Sequence, residues 1–260
     1  MGFLILSCFS GLVMAAAPFW VARALRQRWK MPKGLFFKAG LALLIIEVIH
    51  LAAIGNATSL WPQVLEWPLY LQAMVFGAVT GLFTELGRFL VLDRMMKCVR
   101  TFKEGIYFGL GWSGVSTALI GLIMVLGVIG MMAFTATEDL ASRFPEASKT
   151  DIEQLQTFQK QAADLMQGNP IFGLAPLLER ASVTIVDIAL TLLILLVFQR
   201  GSTKYVWAAA GLRSVFAGLL IYTASLSNIL AEVAFLVCGL AAFFLIRQIK
   251  NSYSAVEGRG

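Results

Sequence analysis

The segment FTELGR at residues 83–88, followed by GLGWSGVS at residues 109–116, decides how this chain folds. Both segments lie within or beside long apolar runs. Glu85 and Arg88 are three residues apart, so they share one face of a helix. A charged side chain inside hydrocarbon costs several kcal/mol unless it is paired or serves a function. The sequence therefore predicts a buried polar site between membrane-spanning helices.

The composition of the whole chain gives the class of protein. Of 260 residues, 58% are hydrophobic and only 14% are charged, which is far more apolar than a soluble domain. The net charge of +6 does not indicate nucleic acid, because the basic residues lie in short loops between apolar runs. The three cysteines are far apart and form no metal-binding motif. We expect no disulfide, no cofactor and no nucleic-acid partner.

Seven apolar runs are each long enough to cross a bilayer core of about 30 Å at about 1.5 Å per residue. The loops rich in Lys and Arg all fall on one side, which predicts an outside N-terminus and a cytoplasmic C-terminus. We expect an all-α transmembrane bundle, one domain over residues 1–260, passing several times through the inner (cytoplasmic) membrane. The runs are 3–22, 35–54, 69–92, 106–134, 172–198, 206–222 and 229–246.

The loop at residues 135–171 differs from the others, because its six acidic residues outnumber its three basic ones. We expect it to be extracytoplasmic. Thr150 and Glu153 have the spacing of a capping box, and apolar residues follow at helical intervals. The pattern predicts an amphipathic helix at 150–167 on the outer surface.

Polar residues inside the runs are expected to face the bundle interior. Counted from the cytoplasmic ends of their runs, Glu85, Ser116, Asp187 and Arg213 lie within about 8 Å of one depth, at about 1.5 Å per residue. We expect such side chains to meet in one buried cluster. Two glycine patterns have simpler explanations: GxxxG at 77–81 predicts close helix packing, and GxGxxG at 109–114 lacks the strand that a dinucleotide site requires.

The segments TELGR at 84–88 and GLGWSGVS at 109–116, together with Glu179-Arg180 in a later run, resemble the YhfC-type membrane proteins. That family is distantly related to the CPBP (CAAX-protease-like) and PrsW intramembrane proteases, and the resemblance covers about residues 76–218. It implies the fold of those proteases. It also implies a Glu-Glu-x-x-Arg motif, a Gly-His-Gly-Gly-x-Glu-like motif and two further histidines that activate water for peptide hydrolysis.

This chain departs from that pattern at the decisive positions. By the resemblance, Thr84 replaces the first glutamate, Trp112 the first histidine and Ser116 another glutamate. Asp187 and Arg213 take the second and third histidine positions. The positions that keep the family residue are Glu85, Arg88, Glu179 and Arg180.

Without imidazoles at those positions, a histidine-held metal or a glutamate–histidine acid–base pair is not available there. We therefore expect no catalytic residues and no metal, and we predict an ion pair between Asp187 and Arg213. Glu85 with Arg88 is either a self-neutralising pair or a relic of catalysis, and Glu179-Arg180 lies either at the outer interface or in the fold. The predicted buried cluster comprises Glu85, Arg88, Trp112, Ser116, Glu179, Arg180, Asp187 and Arg213.

His50 is the single histidine of the chain, three residues after Glu47. Together they could supply a replacement base or ligand, but one histidine and one carboxylate make a poor metal site. A hydrogen-bonded structural pair is the favoured interpretation. Under the alternative, the catalytic or relic residues are Glu85, Arg88, Glu47 and His50.

Three functions follow from the sequence. The favoured one is a pseudoprotease-like protein that binds a membrane helix or a lipid-linked partner, or that serves as a subunit of a membrane complex. The second is an active intramembrane protease that uses Glu85 with Glu47 and His50. The third is a small transporter or channel subunit whose polar cluster forms a conduction path.

Overall fold

The structure is a computed structural model that describes residues 2–136, 149–166 and 169–257. Throughout these residues the regular structure is helical. A π-helical turn, Val91–Met95, extends α3, and 3₁₀ turns at Pro62–Glu66 and Pro170–Leu174 precede α3 and α6. The helices are α1 (Gly2–Trp29), α2 (Leu35–Leu60), α3 (Leu69–Leu90), α4 (Phe102–Thr135), α5 (Lys149–Met166), α6 (Ala175–Arg200), α7 (Lys204–Leu226) and α8 (Asn228–Glu257).

Seven helices of the described chain are long and apolar enough to cross a membrane, namely all except α5. This confirms the predicted all-α bundle of about seven spans. Several helices continue past the predicted ends of their apolar runs. The last run was predicted to end at residue 246, whereas α8 continues to Glu257. The reason is that Arg247 and Lys250 end a hydrophobic stretch but favour helix.

The helical chain forms two compact units. The first combines Met1–Ala17 with Thr117–Leu177. Within it, the Ser10 hydroxyl donates a hydrogen bond to the Gly173 carbonyl at 2.7 Å. The Gln159 amide of α5 donates to the Phe134 carbonyl at 3.0 Å. The side chains of the predicted capping pair, Thr150 and Glu153, lie outside the described residues.

The second unit combines Pro18–Ser116 with Leu178–Gly260, and α3 packs closely on α7 inside it. A Cβ atom added at Gly77 would lie 2.7 Å from both the Gly218 nitrogen and the Ser214 carbonyl oxygen. The two backbones approach so closely because α3 has glycine at position 77 and α7 has glycine at position 218. The predicted packing role of the GxxxG segment is therefore confirmed.

Helix α6 lies at the centre of the second unit, and every residue from 189 to 197 is buried. The glycines of the GLGWSG segment lie inside α4 and let that helix approach its neighbours. A Cβ at Gly109 would lie 2.8 Å from the Ile188 Cα atom of α6, and a Cβ at Gly111 would lie 2.8 Å from the Phe36 Cα atom of α2. The packing brings the N-terminal part of α4 and the charged end of α3 against neighbouring residues of α6, Ile188 and Asp187.

We predict that Gly77→Ala destabilises the protein, because its methyl group would meet backbone atoms that cannot rotate away. Overpacking of this kind costs about 1–3 kcal/mol, and the midpoint of thermal unfolding in detergent should fall. Gly211→Ala is the matched control in α7, because nothing lies within 4 Å of a Cβ atom there. An unchanged midpoint for Gly77→Ala would contradict the observed approach of α3 and α7.

Candidate functional site in a buried ion network

The last turns of α3 carry the charged residues of the candidate site. Thr84, Glu85 and Arg88 are all fully buried, with 0% of each residue exposed. Their spacing of three and four residues places them on one helical face. The sequence-predicted pair is therefore an interior feature of the second unit, in a position where an unpaired charge would be strongly unfavourable.

Arg88 makes its strongest contacts with Asp187 of α6. Its Nη2 atom lies 2.5 Å from Asp187 Oδ1, and its Nη1 atom donates to the Asp187 backbone carbonyl at 2.9 Å. The Thr191 hydroxyl donates to the same carbonyl at 2.8 Å. A single guanidinium thus binds both the carboxylate and the main chain of one residue, which ties α3 to α6 through charge-assisted hydrogen bonds.

Two further charges complete an ion network of four residues. Arg88 Nη1 lies 3.3 Å from Glu85 Oε2, and Arg213 Nη1 lies 3.5 Å from Asp187 Oδ1. The predicted contact between Asp187 and Arg213 is present, but Arg88 is the closer partner. Arg213 also keeps 12% of its side chain exposed. Two carboxylates and two guanidinium groups therefore face each other at the junction of α3, α6 and α7.

Trp112 of α4 covers this network. It is fully buried, and the Arg88 guanidinium carbon lies 4.9 Å from the centroid of its ring. This is a cation–π arrangement, which is favourable when the cation is desolvated. The Phe108 ring stacks on Trp112 at 5.5 Å. Arg88 thus contacts an aromatic ring in addition to its acidic partners.

Several polar atoms of the cluster have no hydrogen-bond partner within the described part of the chain. Buried polar groups are usually paired, so these atoms give the cluster a capacity for hydrogen bonding that the surrounding side chains do not use. They are Thr84 Oγ1, both carboxylate oxygens of Glu85, Arg88 Nε, Trp112 Nε1 and Arg213 Nε.

The remaining predicted members make their contacts elsewhere. The Ser116 hydroxyl donates to the Ser113 carbonyl of its own helix at 2.8 Å. Glu179 lies beside Glu232 of α8. The charge of Arg180 interacts with those of Glu179 and Asp187, so Arg180 is half-buried at the edge of the network.

His50 and Glu47 form a separate pair on α2. The distance from His50 Nδ1 to Glu47 Oε2 is 3.5 Å, and His50 Nε2 lies 3.3 Å from the Thr80 hydroxyl of α3. Glu85 is five residues beyond Thr80, which is about 7.5 Å along the helix axis. The contacts of His50 thus lie more than one turn away from Glu85.

Both the fold and the buried network define a polytopic membrane protein with a charged centre deep between its spans. A sequence model of the YhfC intramembrane metalloprotease family matches residues 13–236. The chain therefore belongs to that family, which confirms the resemblance seen in the sequence. No match was found among curated proteins or among solved structures.

The family implies a metal, but the donors of this chain do not fit one. Zinc sites use three or four nitrogen, oxygen or sulfur ligands. Among the residues that the structure describes, no three His, Cys, Asp or Glu side chains come together as such a set. Of the two network carboxylates, Asp187 is bound by two guanidinium groups and Glu85 lies against Arg88.

Sequence reasoning missed the pairing of Arg88 with Asp187 and the contact of Thr80 with His50. A signal for both is visible afterwards in α3. Thr80, Thr84 and Arg88 recur every four residues, which is one polar stripe on an otherwise apolar helix. This stripe indicates that Arg88 contacts residues of neighbouring helices as well as residues of its own helix.

We predict that Asp187→Asn destabilises the protein by about 3–5 kcal/mol, because it leaves the guanidinium of Arg88 buried without its main partner. Adding Arg88→Gln and Glu85→Gln together leaves no buried carboxylate without its cation. This pair should recover more of the loss than adding Arg213→Gln, since Arg213 is the longer and more exposed contact of Asp187. The measurement is the free energy of unfolding in mild detergent for the single and combined variants.

The matched control is Asp93→Asn, which removes a surface partner of Arg94 and should cost less than about 1 kcal/mol. Greater recovery with Arg213→Gln than with Arg88→Gln and Glu85→Gln together would contradict the assignment of Arg88 as the main partner.

Proposed function

We propose that this protein is a catalytically inactive, pseudoprotease-like member of its family that works by binding. Its partner is a membrane helix or a lipid-linked molecule, or it acts as a subunit of a membrane complex. We place it in the inner membrane as one transmembrane domain, with the N-terminus and residues 135–171 outside and the C-terminus in the cytoplasm.

One observation carries the proposal of inactivity. The residues that the family resemblance aligns with histidine are Trp112, Asp187 and Arg213, and all three belong to the Arg88 network. Trp112 covers the Arg88 guanidinium, Asp187 binds it, and Arg213 contacts Asp187. The three residues that replace histidines therefore support one another, because two of them take part in the ion network and the third packs over it.

That network is poorly suited to hydrolysis. A general base needs a carboxylate or imidazole that is free to take a proton from water, and metal catalysis needs open donor atoms. Asp187 instead faces two positive groups. The carboxylate of Glu85 lies 3.3 Å from Arg88, and its side chain is 0% exposed, so it is paired with a cation and shielded from water. His50, the remaining imidazole, contacts Glu47 and Thr80. These contacts favour a structural role for all three groups.

A groove between α3 and α7 supports binding of a membrane helix. Its volume is about 470 Å³, and Ala73, Gly218 and Ser214 are among its lining residues. Helices associate in membranes where small residues allow close approach. Met74 and Tyr222 also line the groove, and their side chains can pack on an incoming apolar helix.

We predict that the purified protein in liposomes does not cleave a fluorescently labelled membrane-spanning peptide, with or without added Zn²⁺. A strong chelator should leave its thermal unfolding midpoint unchanged, because ion pairs hold the helices together. A family member that retains the histidine motifs provides the positive control. Cleavage that disappears in Glu85→Gln or His50→Ala would overturn the proposed inactivity.

We predict that a photo-crosslinking amino acid at position 74 captures a membrane-helix partner in native membranes. The matched control is position 123, because Met74 and Ile123 are equally exposed, at 66% each. Capture should fall when Val215→Trp narrows the groove, because Val215 lines the groove and is 69% exposed. Equal capture at both positions, or capture that Val215→Trp does not alter, would contradict binding in the groove.

A further inference from the structure

A strongly cationic segment joins α1 to α2. Six basic residues occur between positions 23 and 38, and the first acidic residue of the chain is Glu47. The positive charge therefore has no carboxylate partner in its own stretch of sequence. Both helices are candidate membrane spans, so the segment between Trp29 and Leu35 lies where the chain leaves the hydrocarbon.

A cavity of about 370 Å³ lies beside this segment, formed by α1, the start of α2 and one residue of α4. Helix α1 contributes Arg23 and Arg26, and α4 contributes Tyr107. The cavity has aromatic walls as well, since Phe36 and Phe37 line it and their rings pack edge to face at 5.4 Å.

The cavity is lined by hydrogen-bond donors that are not used elsewhere. Tyr107 is only 3% exposed, and its hydroxyl has no hydrogen-bond partner among the described residues, although the charge of Arg26 lies within electrostatic range. The Tyr107 side chain is thus buried as a whole, whereas its hydroxyl oxygen is not among the fully buried polar atoms, and the residue lines the cavity. The two arginines add guanidinium donors at the rim, where both side chains are exposed.

The N-terminus of α2 adds further hydrogen-bond donors to the cavity. Gly34 precedes the helix with φ 88°, and no side chain caps the first turn. The first-turn amides of a helix lack intrahelical acceptors, and the positive end of the helix dipole favours an anion. Gly34 and Phe36 both line the cavity, so this helix end faces the same space as the two arginines and the phenol.

We propose that this cavity binds the phosphate group of an anionic membrane lipid. A phosphate offers only acceptor oxygens and negative charge, which match guanidinium groups, a phenol and helix amides. The Leu35 amide already donates to the Pro32 carbonyl, so the amides concerned are those of Phe36 and Phe37. Basic pockets between membrane helices are suited to anionic lipid headgroups. Phe37 and Phe19 line the cavity and are 61% and 38% exposed, which gives the acyl chains an apolar path.

The test measures binding of phosphatidylglycerol to the purified full-length protein by native mass spectrometry, with phosphatidylcholine and inorganic phosphate as comparisons. We expect preferential binding of phosphatidylglycerol. Tyr107→Phe should weaken it about tenfold, the loss expected for one hydrogen bond to a charged acceptor. Because this variant keeps the net charge, attraction to the membrane surface alone predicts no change.

Two charge-matched variants complete the experiment. Arg26→Gln and Arg28→Gln each remove one positive charge from the same turn of α1, but Arg26 lines the cavity and Arg28 is absent from its lining. Arg26→Gln should weaken binding at least fivefold more than Arg28→Gln. Equal losses for the two, or unaltered binding in Tyr107→Phe, would overturn the proposal. Inorganic phosphate that competes as well as the lipid would overturn the lipid as the ligand.

Discussion

The contact between Arg88 and Asp187 is the constraint on which the second unit depends. A guanidinium that is fully buried between membrane spans needs several acceptors at once, and Asp187 supplies both a carboxylate and a backbone carbonyl. That requirement fixes the end of α3 against the middle of α6. Trp112 can cover the guanidinium only because the glycines at 109 and 111 bring α4 close to α6 and α2. The close packing of the helix backbones and the pairing of charges therefore depend on each other.

The same contact links the fold to the proposed loss of catalysis. By family resemblance, a protease of this kind has imidazoles where this chain has Trp112, Asp187 and Arg213. An isolated change from imidazole to carboxylate or guanidinium would leave a buried charge unpaired, which is strongly unfavourable. Here the changes compensate each other, because the positive and negative groups meet around Arg88. The resulting centre joins α3, α6 and α7 through ion pairs, which is consistent with the proposed binding function.

Much of this fold could be predicted from the sequence, because membrane spans depend mainly on length and hydropathy. The seven spans and the glycine packing at residues 77–81 follow from local patterns. The network was harder to predict. Counting residues along each helix placed Asp187 and Arg213 at the same depth in the membrane. Such a count does not give the direction in which each side chain points around its helix axis. The sequence therefore did not reveal that Arg88 is closer to Asp187 than Arg213 is. Rotation also explains why Ser116, at the same depth, bonds to its own helix instead. The cavity at Tyr107 could not be predicted from one sequence pattern, because three separate segments of the chain form it.

Solid-state NMR in lipid bilayers would test the central claim most directly. The chain would be labelled with ¹⁵N in the arginine side chains and ¹³C in the aspartate carboxyl groups, and Arg88→Gln would assign the signal. A dipolar coupling between the Arg88 guanidinium and the Asp187 carboxylate, equivalent to direct contact and unchanged by added Zn²⁺, is the predicted result. A missing coupling, or one that disappears as Zn²⁺ binds the carboxylate, would contradict an ion network at the positions where the resemblance places histidines.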